Sequence, residues 1–88
     1  MADDYTPINC SLHDYIEIAC LKRYLLRLEL TNGTTLNATA YSTETHEDKT
    51  EWLVLMDRDI KHTLRLDKIS AFTPLTEGAD FGRIVLND

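Results

Sequence analysis

The chain of 88 residues has no long apolar run. No segment approaches the roughly 20 apolar residues that a helix needs to cross a bilayer. Its first residues, Met-Ala-Asp-Asp, lack the pattern of a secretory signal peptide. We therefore expect a cytoplasmic protein that does not interact with membranes.

Cysteine is scarce, with only Cys10 and Cys20 present. In a reducing compartment such residues are thiols, and we expect both to be small buried side chains. The spacing of Cys10, His13 and Cys20 offers no local fourth ligand, whereas structural zinc sites present paired close ligands. We expect neither a disulfide, nor a metal site, nor a cofactor.

Positive charge is also in short supply. Nine Lys and Arg residues face fifteen Asp and Glu residues, a formal net charge of −6. Proteins that bind nucleic acid directly normally carry a basic surface, because phosphate contacts supply much of the affinity. Direct nucleic-acid binding is therefore disfavoured, and a basic protein is the expected partner.

The N-terminal segment predicts an extended arm followed by one helix. Pro7 fixes its own φ and pushes the preceding residue out of the α region, which predicts an extended arm over residues 1–9. Ser11 resembles a helix N-cap, with Asp14 three residues later as in a capping box. Four apolar residues at helical spacing form an inward stripe: Leu12, Tyr15, Ile16 and Ala19. We predict a helix over about 11–21.

The opposite side of this helix is acidic. Residues 1–21 contain no Lys or Arg and four carboxylates: Asp3, Asp4, Asp14 and Glu17. The helix dipole would stabilise Asp14 and Glu17 by roughly 0.3–1 kcal/mol each, but the same side chains could contact a basic partner. His13 is either a partner contact or a solvent-exposed histidine. Asn9 either caps the helix or touches the partner. For Asp3 and Asp4 we expect long-range steering of the partner rather than fixed contacts.

From residue 24 the apolar pattern has period two, which is typical of strands. Leucines alternate with charged residues over 24–30, and Asn32-Gly33 predicts a type I′ hairpin turn with positive φ at both positions. Residues 34–42 form the return strand. The polar, acidic residues 43–50 predict an exposed loop. Its charges are most simply a solvated surface, but the loop extends the binding surface if it lies beside the helix. Further strands are predicted at 52–56, 61–66, 69–72 and 83–86, with a loop at 73–82.

These elements describe a mainly β protein with one N-terminal α-helix. The length fits one domain, residues 1–88, and the 43% hydrophobic content fits one small core. The strands over about 24–86 predict a small antiparallel β-barrel or half-open sandwich.

Two other groups of residues bear on function. His46 and His62 lie near carboxylates, but a hydrolase needs a nucleophile, a base and an orienting group that converge, and this spacing predicts no catalytic site. Seven basic residues could form an RNA-binding strand face, although interleaved carboxylates make salt pairs the simpler interpretation. They are Lys22, Arg23, Arg27, Arg58, Lys61, Arg65 and Lys68.

A dispersed motif identifies a family resemblance. It comprises Tyr5-x-Pro7-Ile8-Asn9-Cys10, Asp14-x-x-Glu17-x-Ala19-Cys20, Leu28-Glu29-Leu30-x-x-Gly33, Glu51-x-Leu53-Val54 and Leu64-Arg65-Leu66-Asp67-Lys68-Ile69-x-x-Phe72. Spread over residues 5–72, this pattern resembles the Rof (YaeO) family of bacterial inhibitors of transcription termination factor Rho.

The resemblance implies an Sm-like barrel that is neither an enzyme nor a cofactor-binding protein. It implies binding of the helix to the N-terminal RNA-binding domain of Rho, in competition with RNA, by a protein that we expect to be monomeric when free. The primary candidate contacts are Asn9, His13, Asp14 and Glu17. The secondary candidates are Asp3, Asp4, Glu47 and Asp48. The alternative is an Sm-like module that binds single-stranded RNA directly.

Overall fold

The structure, a computed structural model, describes Ile8 and residues 10–87. Within this part of the chain one α-helix precedes six strands, as the sequence predicts. The helix is α1 (Cys10–Leu21), and a short 3-10 helix spans Leu66–Lys68. The strands are β1 (Leu25–Leu30), β2 (Thr35–Thr45), β3 (Glu51–Asp57), β4 (Ile60–Arg65), β5 (Ile69–Pro74) and β6 (Ile84–Val85).

The six strands form one antiparallel sheet in the order β4-β3-β2-β1-β5-β6. Over the described residues the outermost strands, β4 and β6, do not pair with each other, so the sheet is open rather than a closed barrel. Of the two predicted arrangements, the half-open one is therefore observed. The helix α1 packs mainly against β2, and its buried side chains join those of the strands in one core cluster.

The inward stripe of α1 is confirmed. Ile16 and Ala19 are buried, while Leu12 and Tyr15 pack against the core at partial exposure. The helix begins at Cys10, one residue before the predicted start, so Ser11 lies in its first turn rather than at the N-cap.

The β1–β2 hairpin is confirmed, but its turn differs from the predicted one. Gly33 has φ of 90°, whereas Asn32 keeps a negative φ, which excludes a type I′ turn. The Gly33 amide donates to the Leu30 carbonyl at 2.9 Å, and the Leu30 amide donates to the Thr34 carbonyl at 2.8 Å. The Asn32 side-chain oxygen accepts from the Thr34 amide and hydroxyl. The result is a type I turn followed by a glycine bulge.

The predicted loop 43–50 is too long at its start, because β2 continues to Thr45 and leaves a turn at residues 46–50. This β2–β3 turn, residues 46–50, repeats the first one: the Lys49 amide donates to the His46 carbonyl, and the His46 amide donates to the Thr50 carbonyl. Lys49, with φ of 68°, takes the position of the glycine. The Asp48 carboxylate accepts from the Thr50 amide and hydroxyl, as Asn32 does in the first turn.

The segment between β5 and β6 packs one aromatic side chain against the inner face. The ring of Phe81 makes edge-to-face contacts with Tyr15, Tyr24 and Phe72, at centroid distances of 5.1, 5.8 and 6.0 Å. Such pairs contribute beyond the area they bury. The segment therefore fixes α1 against the sheet.

Candidate functional site

The outer side of α1 is the first part of the candidate site. Asp14 and Glu17 are exposed and lie one turn apart, and α1 contains no Lys or Arg. Among the described residues neither carboxylate forms an ion pair. We call these two residues the acidic helix face. Cys10 and Leu21 continue it at helical spacing and are also exposed. The predicted outward position of both carboxylates is confirmed.

His13 joins the helix to the sheet. Its Nε2 lies 3.4 Å from Oε1 of Glu51, the first residue of β3, and both side chains are about one-third exposed. His13 is therefore not a freely solvated histidine. The contact places the N-terminal half of α1 beside the β2–β3 turn, the arrangement in which that turn can extend the binding surface. Sequence reasoning missed Glu51 as the link, because the contact joins elements far apart in the chain.

Side-chain hydrogen bonds and a ring contact hold the β2–β3 turn together. The hydroxyl and amide of Thr50 donate to Asp48, which lowers the pKa of that carboxyl below its ordinary value. The Trp52 indole N–H donates to the Thr50 hydroxyl at 2.7 Å, and the His46 ring stacks on Trp52 at 4.8 Å. Asp48 is thus occupied in forming the turn, whereas Glu47 is exposed at its tip.

The two cations that follow α1 are engaged elsewhere. Lys22 lies 2.6 Å from Asp80; this hydrogen bond, with one from the Tyr24 hydroxyl, lowers the pKa of Asp80, and the same lysine contact raises the pKa of Lys22. Arg23 donates to the carbonyls of Cys20 and Tyr41, and its guanidinium lies 4.2 Å from the centre of the Tyr41 ring. Neither cation neutralises the acidic helix face through a direct ion pair.

Several basic side chains in and next to the sheet are paired with carboxylates. Arg65 donates twice to Asp67, at 2.7 and 3.0 Å, and Lys61 lies 3.8 Å from Glu44. Arg83 donates twice to Glu29; these hydrogen bonds lower the pKa of Glu29 and raise that of Arg83. The salt-pair interpretation of the strand charges is confirmed for Arg65 and Lys61.

The cysteines are both free thiols, but only one is buried. Burial raises the pKa of the Cys20 thiol to about 11, against a smaller opposing effect of Arg23. The expectation that Cys10 is buried is wrong, because it lies on the exposed side of α1. Residues 10–87 with Ile8 contain no group of three or more His, Cys, Asp or Glu side chains arranged to hold a metal ion. No helix in the same residues has the length and apolarity to cross a membrane.

Three predicted residues are not placed by the structure. Asp3, Asp4 and Asn9 lie outside the described residues. Of the remaining candidates, His13, Asp14 and Glu17 lie within about one turn of each other on α1. The structure places Glu47 and Asp48 in the turn at the β3 end next to His13.

Sequence reasoning also missed two exposed apolar side chains near Glu17. Leu21 is 80% exposed and Tyr41 is 49% exposed. The spacing of Leu21 from Asp14 and Glu17 was a usable signal, since i, i+3 and i+7 share one side of a helix. Tyr41 gave none, because its direction depends on a bulge in β2.

Comparisons with known proteins show the family of this chain. Residues 7–86 match the family described as "Modulator of Rho-dependent transcription termination (ROF)". The chain is 40% identical over 73 residues to "Protein rof" of Escherichia coli (strain K12), covering 83% of this chain and 86% of the relative. The same values hold for "Protein rof" of Shigella flexneri.

A solved structure shares the fold. "YaeO bound to Magnesium from Vibrio cholerae O395" superposes with a TM-score of 0.75 at 28% identity, covering 84% of this chain and 96% of that one. With the match over residues 7–86, this chain belongs to the Rof family, which is described as a modulator of Rho-dependent transcription termination.

Proposed function

We propose that this protein inhibits Rho by docking the acidic helix face on the N-terminal RNA-binding domain of Rho, where it occupies the primary RNA-binding site. The observation that carries the proposal is the exposure of Asp14 and Glu17 on a rigid helix with no ion pair among the described residues. A protein surface of this kind can compete with RNA without resembling it in shape.

The physical basis is charge complementarity with a phosphate-binding site. Such sites offer Arg, Lys and exposed aromatic side chains. Carboxylates on a helix can take the positions of phosphates, and an Arg–carboxylate pair can form two parallel hydrogen bonds. The net charge of −6 would steer the encounter at a distance, with Asp3, Asp4 and Glu47 contributing to the field.

Direct RNA binding is the weaker alternative. The chain is acidic, and the cations Arg65 and Lys61 of the sheet and Arg83 next to it already have carboxylate partners. A phosphate would have to replace those partners, in a region where the other carboxylates repel it.

The decisive experiment reverses the charge of the acidic helix face. We expect Asp14→Lys combined with Glu17→Lys to weaken binding to intact Rho at least about hundredfold, because each reversal replaces an attraction with a repulsion. Binding is measured by calorimetry, with circular dichroism to establish folding. The matched control is Asp59→Lys with Glu77→Lys, two exposed carboxylates whose reversal changes the net charge equally.

Wild-type affinity in the folded double variant would contradict the proposal, as would equal losses in both variants. A second measurement tests competition. Oligo-C RNA should displace the protein from Rho, and the isolated protein should not retard the same RNA in a gel at low salt. Tight binding of RNA to the isolated protein would instead favour the direct RNA-binding alternative.

A further inference from the structure

A shallow groove continues the acidic helix face across β2. Two neighbouring depressions of about 360 and 390 Å³ share the side chains of Tyr41 and Ser42. The first is bounded by the end of α1, and the second by β3 and β4. We call the combined depression the Tyr41 groove. The lining residues that matter here are Glu17, Leu21, Tyr41, Glu44, Met56 and Lys61.

The position of Tyr41 results from a bulge in β2. Ala40 pairs with Leu55 and Ser42 pairs with Val54, so Tyr41 is the extra residue without a partner in the ladder. A bulge bends its strand and redirects a side chain. Arg23 then fixes the exposed ring, since it donates to the Tyr41 carbonyl at 2.7 Å and lies over the ring.

The groove presents apolar surface that the core does not use. Leu21 is 80% exposed at one end, and Tyr41 is 49% exposed in the middle. Met56 lines the other end. Single exposed apolar side chains are ordinary, but here they line two neighbouring depressions that meet at Tyr41. An aliphatic or aromatic side chain of a partner would bury them together.

The charges around the groove favour a cation beside that apolar side chain. Glu17 belongs both to the acidic helix face and to the wall of the groove. Arg23 also lines this wall, but its Nη1 donates to the carbonyls of Cys20 and Tyr41, and among the described residues it forms no ion pair with Glu17; Lys61 lies 3.8 Å from Glu44 at the far end. The Glu17 carboxylate therefore remains available to a Lys or Arg of the partner.

We propose that the Tyr41 groove is the apolar half of the docking surface for Rho. It takes an apolar side chain of a partner segment in which an adjacent Lys or Arg pairs with Glu17. This inference rests on the proposed function, because it takes Rho as the partner and Glu17 as a contact. It adds that affinity has an apolar component that salt does not screen.

The test removes the apolar surface without changing charge. We expect Leu21→Ser combined with Tyr41→Ser to weaken binding to intact Rho by about hundredfold or more, since each buried side chain of this size contributes roughly one to two powers of ten. The dependence of the dissociation constant on salt should stay as in the wild type, because no charge is lost. The single variant Tyr41→Phe keeps the ring and should bind Rho with wild-type affinity.

A matched control removes apolar surface elsewhere. Ile60 and Val85 are 60% and 42% exposed on other parts of the sheet, and Ile60→Ser with Val85→Ser should bind as the wild type does. Circular dichroism checks the folding of every variant. If the double groove variant fails to fold, Leu21→Ser alone replaces it, because a side chain with this exposure contributes little to stability.

The outcomes separate the two proposals. Wild-type affinity of the groove variants, alongside lost binding of Asp14→Lys with Glu17→Lys, overturns the groove and leaves the proposed function intact. A wild-type protein that does not bind Rho overturns both. Equal weakening in the groove variant and in the Ile60 and Val85 control also overturns the groove.

Discussion

The two charged regions of this protein differ in whether their charges are matched within the chain. On the sheet, Arg65 is held by Asp67 through two hydrogen bonds, and Lys61 lies close to Glu44. On α1, Asp14 and Glu17 are exposed, and the described part of the protein gives them no ion pair. Matched charges serve the fold, whereas unmatched charges on a rigid element are available to a partner.

The difference has a simple physical origin. A partner that binds a side chain of an ion pair must first separate that side chain from its neighbour. The neighbour is then left as an uncompensated charge, which costs free energy. An exposed carboxylate forms a new pair at a smaller cost. Side chains of a helix that is packed on its other side also lose little backbone freedom on binding.

The largest expected effect on stability is at the least exposed of these pairs. The side chains of Arg65 and Asp67 are 12% and 7% exposed. Asp67→Asn should therefore lower the free energy of unfolding by roughly 1–3 kcal/mol, because it removes the carboxylate that accepts two hydrogen bonds from a largely buried guanidinium. Urea denaturation measures the change, and affinity for Rho should not change in the folded variant.

Two controls sharpen this result. Arg83→Gln breaks an exposed pair and should leave the unfolding midpoint nearly unchanged, since water screens such pairs. Asp14→Asn with Glu17→Gln should also leave stability unchanged and weaken binding. A lower free energy of unfolding for Asp14→Asn with Glu17→Gln would mean that these carboxylates stabilise the fold. The contrast between the helix and the paired charges of the sheet would then not hold.

The next effect contrasts the two sides of α1 through their cysteines. Iodoacetamide at pH 8 should modify the exposed Cys10 at least about hundredfold faster than Cys20, whose thiol is buried and has a pKa raised to about 11. Peptide mass spectrometry measures the two rates, with urea-unfolded protein as the control in which they converge. Equal rates in the folded protein would mean that the inner side of α1 is open to solvent.

The sign of this pKa shift also predicts a pH dependence. The folded protein holds the Cys20 proton more tightly than the unfolded chain, so the contribution of this thiol to stability is fully present below pH 9. It should be lost progressively as the pH rises toward about 11.

The smallest effect concerns the two hairpin turns, one of which borders the acidic helix face. Gly33→Ala should lower the free energy of unfolding by roughly 1–2 kcal/mol, because an alanine is strained at the positive φ of this position. The space around Gly33 is open, so no clash of the added methyl group contributes. Lys49→Gly should stabilise the protein by up to about 1 kcal/mol, because Lys49 also has a positive φ. Thermal unfolding measures both changes. A destabilised Lys49→Gly variant would show that the lysine side chain supports its turn.

The predictions that succeeded depended on local patterns of burial. Period two located β1, the start of β2, and β4, and the helical spacing of Ile16 and Ala19 located the buried side of α1, because burial follows directly from these periods. The same helical spacing places Cys10 on the exposed side of α1. The expectation that Cys10 is buried was wrong because it relied on the general tendency of free cysteines to be buried and not on the position of this residue in the helix.

The predictions that failed depended on backbone conformation. The end of β2 was assigned to a loop because its residues are polar and its turn contains Lys49 rather than glycine at the left-handed position. The turn at Asn32-Gly33 was placed correctly but given the wrong type, because the Asn32 side chain stabilises a negative φ through Thr34.

The sequence by itself determined the mainly β fold, the single N-terminal helix and the outward position of Asp14 and Glu17, because helical and strand periodicity fix which side of each element is apolar. Only the tertiary structure decided what lies beside that helix. The contact of His13 with Glu51, the bulge at Tyr41 and the pairing of Lys22 with Asp80 all join residues distant in the chain. Their positions follow from how the helix packs on the sheet, which no local pattern records.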